Sequence, residues 1–150
     1  ANAGQKAIEV AVANRGTSNV LVVTVLTSID EVECRSIYGC APDTKVLGFV
    51  ESAFQAKAQG IICSPKELSA IGQLSRYNSL LKITPGVRPL WAAVNDQKRV
   101  MTPAEAIRAG ATHLVIGRPI TEPPDSIGSM KKAADLIVEE IAGALEEVVV

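Results

Sequence analysis

The sequence predicts an α/β protein organised around a parallel sheet. Helix-patterned and strand-patterned segments alternate along its whole length. The strand segments are short, continuous apolar runs, as expected of strands covered on both faces. No linker or low-complexity stretch separates them, and alternation of this kind implies right-handed crossovers between parallel neighbours.

The elements follow in order. Residues 3–15 place Ala7, Ile8, Val10, Ala11 and Val12 on one broad helical face, and Gly16 supplies a stop. Val20 to Leu26 is a β-branched run and the first strand. Residues 30–44 hold charges, Gly39 and Pro42, and read mostly as loop. From about Asp43 to Gln59 apolar residues recur at helical spacing, ending at Gly60. Ile61–Ser64 is a short strand, after which Pro65 opens a helix at its tolerated first turn. Leu80–Thr84 is the third strand, followed by a loop from Pro85 to about Met101. Thr102-Pro103-Ala104-Glu105 forms a capping box with proline at the first helical position, so a helix begins there and ends at Gly110. His113–Gly117 is the last strand, and residues 125–147 form a long amphipathic helix.

Composition narrows the function. Fifteen Lys and Arg balance sixteen Asp and Glu, a net charge of −1 that offers no basic surface for a nucleic-acid backbone. One Trp, two Tyr and two Phe are too few for a base-stacking platform. No apolar run reaches the eighteen or so residues of a membrane span, and residues 1–10 do not read as a signal peptide. Cys34, Cys40 and Cys63 are odd in number and lack tight metal spacing, which favours reduced thiols in a cytoplasmic protein.

Chemistry in α/β folds concentrates in the loops after strands. Here two such turns pair a glycine with an arginine: Pro85-Gly86-Val87-Arg88 after the third strand and Gly117-Arg118 after the fourth. Glycine permits close backbone approach and arginine presents a planar fork of donors. Either arginine alone reads equally well as a salt-bridge residue, but the pair on neighbouring strands points to one phosphate dianion. Barrel enzymes build such a site after their seventh and eighth strands. Between the two turns, Trp91–Gln97 reads as a lid from which Gln97 reaches a ligand, or as a solvated loop. Thr24, Thr27 and Ser28 end the first strand, where hydroxyls either read a heterocycle's polar edge or, more commonly, satisfy loop backbone. His113 starts a strand and reads as structural, and Cys63 has no histidine to activate it.

Five segments together resemble a known family: VVTVLTS (22–28), GIICSPKE (60–67), ITPGVRP (83–89), DQKRVMTP (96–103) and LVIGRPIT (114–121) look like successive motifs of orotidine 5′-monophosphate decarboxylase. The nine residues from Arg88 to Gln97 and the twenty from Gln97 to Gly117 match the family's spacing. Residues 34–44 and 146–150 match nothing in it. The resemblance implies a TIM (β/α)8 barrel enzyme, usually a homodimer, that converts orotidine monophosphate to uridine monophosphate without metal or cofactor. It implies that Arg88, Arg118 and the Gly117 backbone hold the phosphate and that Gln97 bridges lid, phosphate and pyrimidine. Thr27 would meet the pyrimidine amide edge, and Pro85 would line the base pocket.

One departure matters. The family's catalytic lysine and carboxylates centre on an Asp-x-Lys-x-x-Asp motif, and neither Asp43-Thr44-Lys45 nor Asp96-Gln97-Lys98 completes one. No catalytic residue is therefore expected in this chain. Residues 1–150 look like the carboxyl-terminal half of one barrel domain, strands five to eight with helices four to eight. The expected partner is an amino-terminal half-barrel, carried by a second polypeptide or by a longer molecule. A half-barrel without it exposes parallel edges and apolar side chains, and is expected not to persist as a monomer. Two alternatives stay open: a non-catalytic half-barrel that binds a nucleotide phosphate without turnover, and a sister sugar-phosphate barrel such as a hexulose-phosphate synthase. The DQKRVMTP stretch and the long Pro85–Met101 loop argue against the latter.

Overall fold

The computed structural model describes residues 1–92 and 100–148. Four short strands, β1 (Leu21–Val23), β2 (Gly60–Ile62), β3 (Leu81–Thr84) and β4 (His113–Leu114), form one sheet in that order, every pair parallel. Seven helices accompany them among the described residues: α1 (Gln5–Ala13), α2 (Glu31–Tyr38), α3 (Pro42–Gln55), α4 (Leu68–Gly72), α5 (Pro103–Arg108), α6 (Arg118–Thr121) and α7 (Met130–Val148). The alternation read from the sequence is present, with each apolar run shorter as a strand than as a pattern.

Several boundaries differ from expectation: the last helix begins at Met130 rather than at 125, and residues 118–121 form a short helix of their own. Residues 31–38 are a helix, not a loop: Asp30 accepts from the Glu33 N–H at 2.9 Å while Glu33 accepts from the Asp30 N–H at 3.0 Å, a reciprocal cap that starts α2. Gly60 does not stop α3, which ends at Gln55; Gly60 opens β2. A Cβ there would lie 2.6 Å from the Leu81 carbonyl oxygen, so strand contact rather than helix termination demands the glycine. The helix opened by Pro65 begins as a 3-10 turn over Pro65–Glu67 before α4.

Register divides the sheet into two faces. Val22 and Ile61 lie on one row, buried against Ile8 of α1, Val46, Val50 and Ala53 of α3, and Leu68 and Ile71 of α4. Burial of each Val, Leu or Ile side chain among them contributes about 2 kcal/mol. The opposite face carries Leu21, Gly60 and Leu81 in one row and Val23, Ile62, Ile83 and His113 in the next. Val115, two residues on, shares that face by the pleat. Here Leu21 (36%), Val23 (40%) and Val115 (51%) remain exposed. One side of the sheet is a core and the other is an open apolar floor.

Further helix contacts fix the β4 end. Arg108 Nε donates to Glu147 Oε2 at 2.7 Å, and the Ala104 N–H donates to Glu140 Oε1 at 3.0 Å, tying α5 to α7. At the other end of the sheet, the Ala1 amine donates to the Val23 carbonyl on the open edge of β1. None of the three cysteines forms a disulfide, and Cys34 and Cys63 are buried.

Candidate functional site

Because all four strands are parallel, the segments that follow them gather at one end of the sheet. Thr24–Asp30 follows β1, Cys63–Ser64 follows β2, the Pro85 loop follows β3 and Val115–Gly117 follows β4. The last two are neighbours because β3 and β4 pair.

The hydroxyl residues after β1 separate into two kinds. Thr24 donates both its N–H (3.0 Å) and its Oγ1 (2.9 Å) to the Ile62 carbonyl, so its hydroxyl serves the strand pair. Thr27 is buried in the turn closed by the Ile29 N–H on the Leu26 carbonyl, and Ser28 is exposed. After β2, Ser64 accepts from the Lys66 N–H, and the Ser64 N–H donates to Glu67 Oε2 at 3.0 Å. This locks the turn and buries Glu67.

The β3 loop is anchored before it leaves the sheet. Thr84 Oγ1 donates to the His113 carbonyl and the Val115 N–H donates to the Thr84 carbonyl, fixing β3 against β4 one residue before Pro85. Gly86 adopts φ 77°, a left-handed conformation that glycine takes without strain. Val87 then bridges to Met101, and the Arg88 N–H donates to the Met101 carbonyl at 2.9 Å. The loop is thereby pinched shut at its base, Val87–Arg88 on one side and Met101 on the other. Thr102 caps α5 immediately beyond, accepting from the Glu105 N–H while Glu105 accepts from the Thr102 N–H. Leu90 stands 93% exposed near the start of the loop. Gln97 lies outside the described residues.

The two arginines are held differently. Arg88 is 7% exposed and donates from Nη1 to its neighbour Val87's carbonyl at 2.9 Å. It lines a cleft of about 240 Å³ with Pro89, Leu90, Ala92, Val100, Met101, Thr102 and Glu105. Arg118 is half-buried at the first position of α6, with Pro119 next. The Ile120 and Thr121 N–H groups both fold back on the Gly117 carbonyl, so Gly117 is the corner between β4 and α6. A Cβ built on Gly117 would meet nothing within 4 Å. Pro85 is half-buried between Thr84 and Gly86. Thr27, Pro85, Arg88, Gly117 and Arg118 thus stand on strand-following segments at one end of the sheet, and the last four belong to neighbouring strands.

A larger hollow, about 350 Å³, lies beside this end, lined by Asp30, Glu31, Ala41, Pro42, Asp43, Lys66 and Glu67. It contains none of the expected site residues and falls partly on α2, the element missed in the sequence. Asp30, followed three residues later by Glu33, was the signal that could have found that helix. Among the described residues no group of three His, Cys, Asp or Glu side chains could hold a metal ion, and no helix is long and apolar enough to cross a membrane.

Comparison with known proteins follows the same outline. The family model described as orotidine 5′-phosphate decarboxylase / HUMPS family matches residues 1–133. Among curated proteins, the chain is 46% identical over 125 residues to an orotidine 5′-phosphate decarboxylase of Geobacter sulfurreducens, covering 83% of this chain and 50% of that one. It is 46% identical over 143 residues to the orotidine 5′-phosphate decarboxylase of Rhodopseudomonas palustris strain CGA009, covering 91% and 57%. The crystal structure of the orotidine 5′-phosphate decarboxylase from Lactobacillus acidophilus superposes with a TM-score of 0.67 at 30% identity, covering 92% of this chain and 59% of that one. The chain spans about half the length of the curated relatives it matches.

Proposed function

This chain belongs to the orotidine 5′-phosphate decarboxylase / HUMPS family, and from that membership we propose that it is the phosphate- and pyrimidine-binding half of a decarboxylase acting on orotidine 5′-monophosphate. Its four-stranded sheet is part of a TIM barrel, strands five to eight in this reading. One observation supports the assignment most: Arg88 and Gly117–Arg118 follow adjacent parallel strands and share one end of the sheet. Two guanidinium groups carry the charge to match a phosphate dianion, and charge-assisted bonds of this kind are the strong ones.

The chemistry divides between the halves. Decarboxylation breaks the bond between C6 of the pyrimidine and its carboxylate; carbon dioxide leaves, the electron pair stays on C6, and a proton must then be delivered there. The lysine and carboxylates for that step belong to the Asp-x-Lys-x-x-Asp motif, which this sequence lacks. Arg88, Arg118 and the Gly117 backbone hold the phosphate, Pro85 lines the base pocket and Thr27 meets the pyrimidine amide edge. Gln97, outside the described residues, is assigned by the resemblance to bridge phosphate and pyrimidine. Phosphate binding far from C6 then supplies remote binding energy that closes the loop and is expressed in the transition state.

An amino-terminal half-barrel completes the enzyme in this reading, and two complete barrels form the homodimer usual for the resemblance. The reaction needs no metal or cofactor, and the enzyme works in the cytoplasm. The missing motif also favours a second reading, a half-barrel that binds nucleotide phosphate without chemistry. Titration calorimetry with uridine monophosphate, with and without an amino-terminal half, tests the binding assignment. The expected result is binding by the completed barrel that Arg88→Ala and Arg118→Ala both weaken; unchanged affinity in both variants overturns it.

A further inference from the structure

We propose that Glu140, on the last helix, is a positioning residue for Arg88, acting through the amino-terminal turn of α5. The inference rests on the phosphate reading above and adds to it a residue that the resemblance does not assign. The pattern of α7 sets Glu140 apart. Ala133, Ile137 and Ala144 recur at helical spacing on the buried face of this helix. Glu140 falls on the same stripe, half-buried, where an apolar residue is expected. A carboxylate there loses hydration and needs a donor in return. It has one: Glu140 Oε1 accepts the Ala104 N–H at 3.0 Å.

The first N–H groups of a helix have no partners within it, and at the start of α5 each is met from elsewhere. Pro103 has no N–H to place. The Glu105 N–H goes to Thr102 Oγ1 at 3.2 Å, and the Ala106 N–H goes to the Thr102 carbonyl at 3.0 Å. Ala104 is left, and its acceptor comes from a residue 36 positions further along. With six residues, α5 is too short to hold its own place, so tertiary ties set where it starts. A carboxylate at its amino end also suits the helix dipole.

The same turn carries Arg88. Met101, just before the Thr102 cap, accepts the Arg88 N–H at 2.9 Å and bridges to Val87. Met101, Thr102 and Glu105 also wall the cleft that holds the Arg88 side chain. Backbone and side chain of Arg88 are thus both set against the amino end of α5, and Glu140 holds that end to α7. An arginine clamp works through precise placement. Glu147 supplies the contrast: it meets Arg108 Nε at 2.7 Å and joins the same two helices at the far end of α5.

Calorimetry on the completed barrel tests the inference. Glu140→Leu continues the apolar stripe but removes the acceptor. It is expected to weaken uridine monophosphate binding about fivefold, within the worth of one hydrogen bond, and to leave binding of uridine, which has no phosphate, unchanged. Glu140→Asp, one methylene short of the N–H, is expected to give the same selective loss, and it decides the matter if Glu140→Leu does not fold. Glu140→Gln keeps an oxygen acceptor and is expected to retain the parent affinity. Glu147→Ala is expected to leave both affinities unchanged. Unchanged uridine monophosphate affinity in Glu140→Leu and Glu140→Asp overturns the inference, as does an equal loss for uridine or in Glu147→Ala. Arg88→Ala separates this inference from the function proposed above. If Arg88→Ala weakens binding and the Glu140 variants do not, the positioning role falls and the function stands. Unchanged affinity in Arg88→Ala removes the phosphate assignment of that arginine, and the positioning role with it.

Discussion

At Arg118 the local sequence already gives the placement on which the proposed phosphate role rests: a guanidinium one residue after a glycine that follows a strand, at the start of a short helix. In the completed barrel, Arg118→Ala is expected to cost about 2 kcal/mol of uridine monophosphate affinity, the scale of a lost charge-assisted bond, or about thirtyfold in Kd by calorimetry. The placement of Arg88 and Gly117 after neighbouring strands was legible in the same way, because a glycine beside an arginine after an apolar run needs no tertiary information to be noticed. Thr24 was not. Its hydroxyl is used on the Ile62 carbonyl, and nothing in the sequence says that β2 will lie there. A similar tertiary tie joins Tyr77, whose hydroxyl donates to Glu51 Oε2 at 2.5 Å, with Arg76 2.9 Å from the same oxygen. The Tyr77 hydroxyl, then the Gln55 amide and Arg76, hold the Glu51 carboxyl below the usual glutamate range. A depressed acid stabilises the fold above its unfolded pKa and loses that contribution as pH falls through the folded value. Tyr77→Phe is therefore expected to flatten the acid limb of the thermal stability profile below about pH 4.3 while leaving its neutral slope unchanged. An unaltered acid limb removes this tie from the pH response.

Among the elements, helix starts were easier to read than strand limits. The box at Thr102–Glu105 and the proline at 65 both open helical turns where the side-chain pattern places them. Helix α2 carries the same kind of box at Asp30–Glu33, but the surrounding charges and Pro42 outweighed it. Asp30→Ala is expected to destabilise the chain by about 1 kcal/mol, lowering Tm by about 3 °C; no shift by calorimetric melting removes the cap from the stability of α2. Strand ends depend on which neighbours donate, and a run such as Val20–Leu26 looks apolar well past the last ladder bond. Gly60 is the clearest instance of an element misread locally and explained tertiarily. It follows a helical run like a stop signal, yet it sits where β2 passes Leu81 too closely for a side chain. Gly60→Ala is expected to lower Tm through overpacking of about 1–3 kcal/mol, and an unchanged Tm contradicts the close approach.

The whole molecule is organised by what its sheet leaves open. Length and composition suggest a self-sufficient domain, but four parallel strands with an exposed apolar floor form only part of a TIM barrel. The chain spans about half the length of the curated relatives it matches. The proposed binding groups Arg88, Gly117 and Arg118 follow adjacent strands of this chain, while the motif expected to supply the proton to C6 is absent from its sequence. The division of labour is tested most directly by following release of labelled carbon dioxide from carboxyl-labelled orotidine monophosphate, using this chain alone and this chain mixed with an amino-terminal half. The account predicts no release by the chain alone and catalysed release by the mixture; release by the chain alone would contradict it.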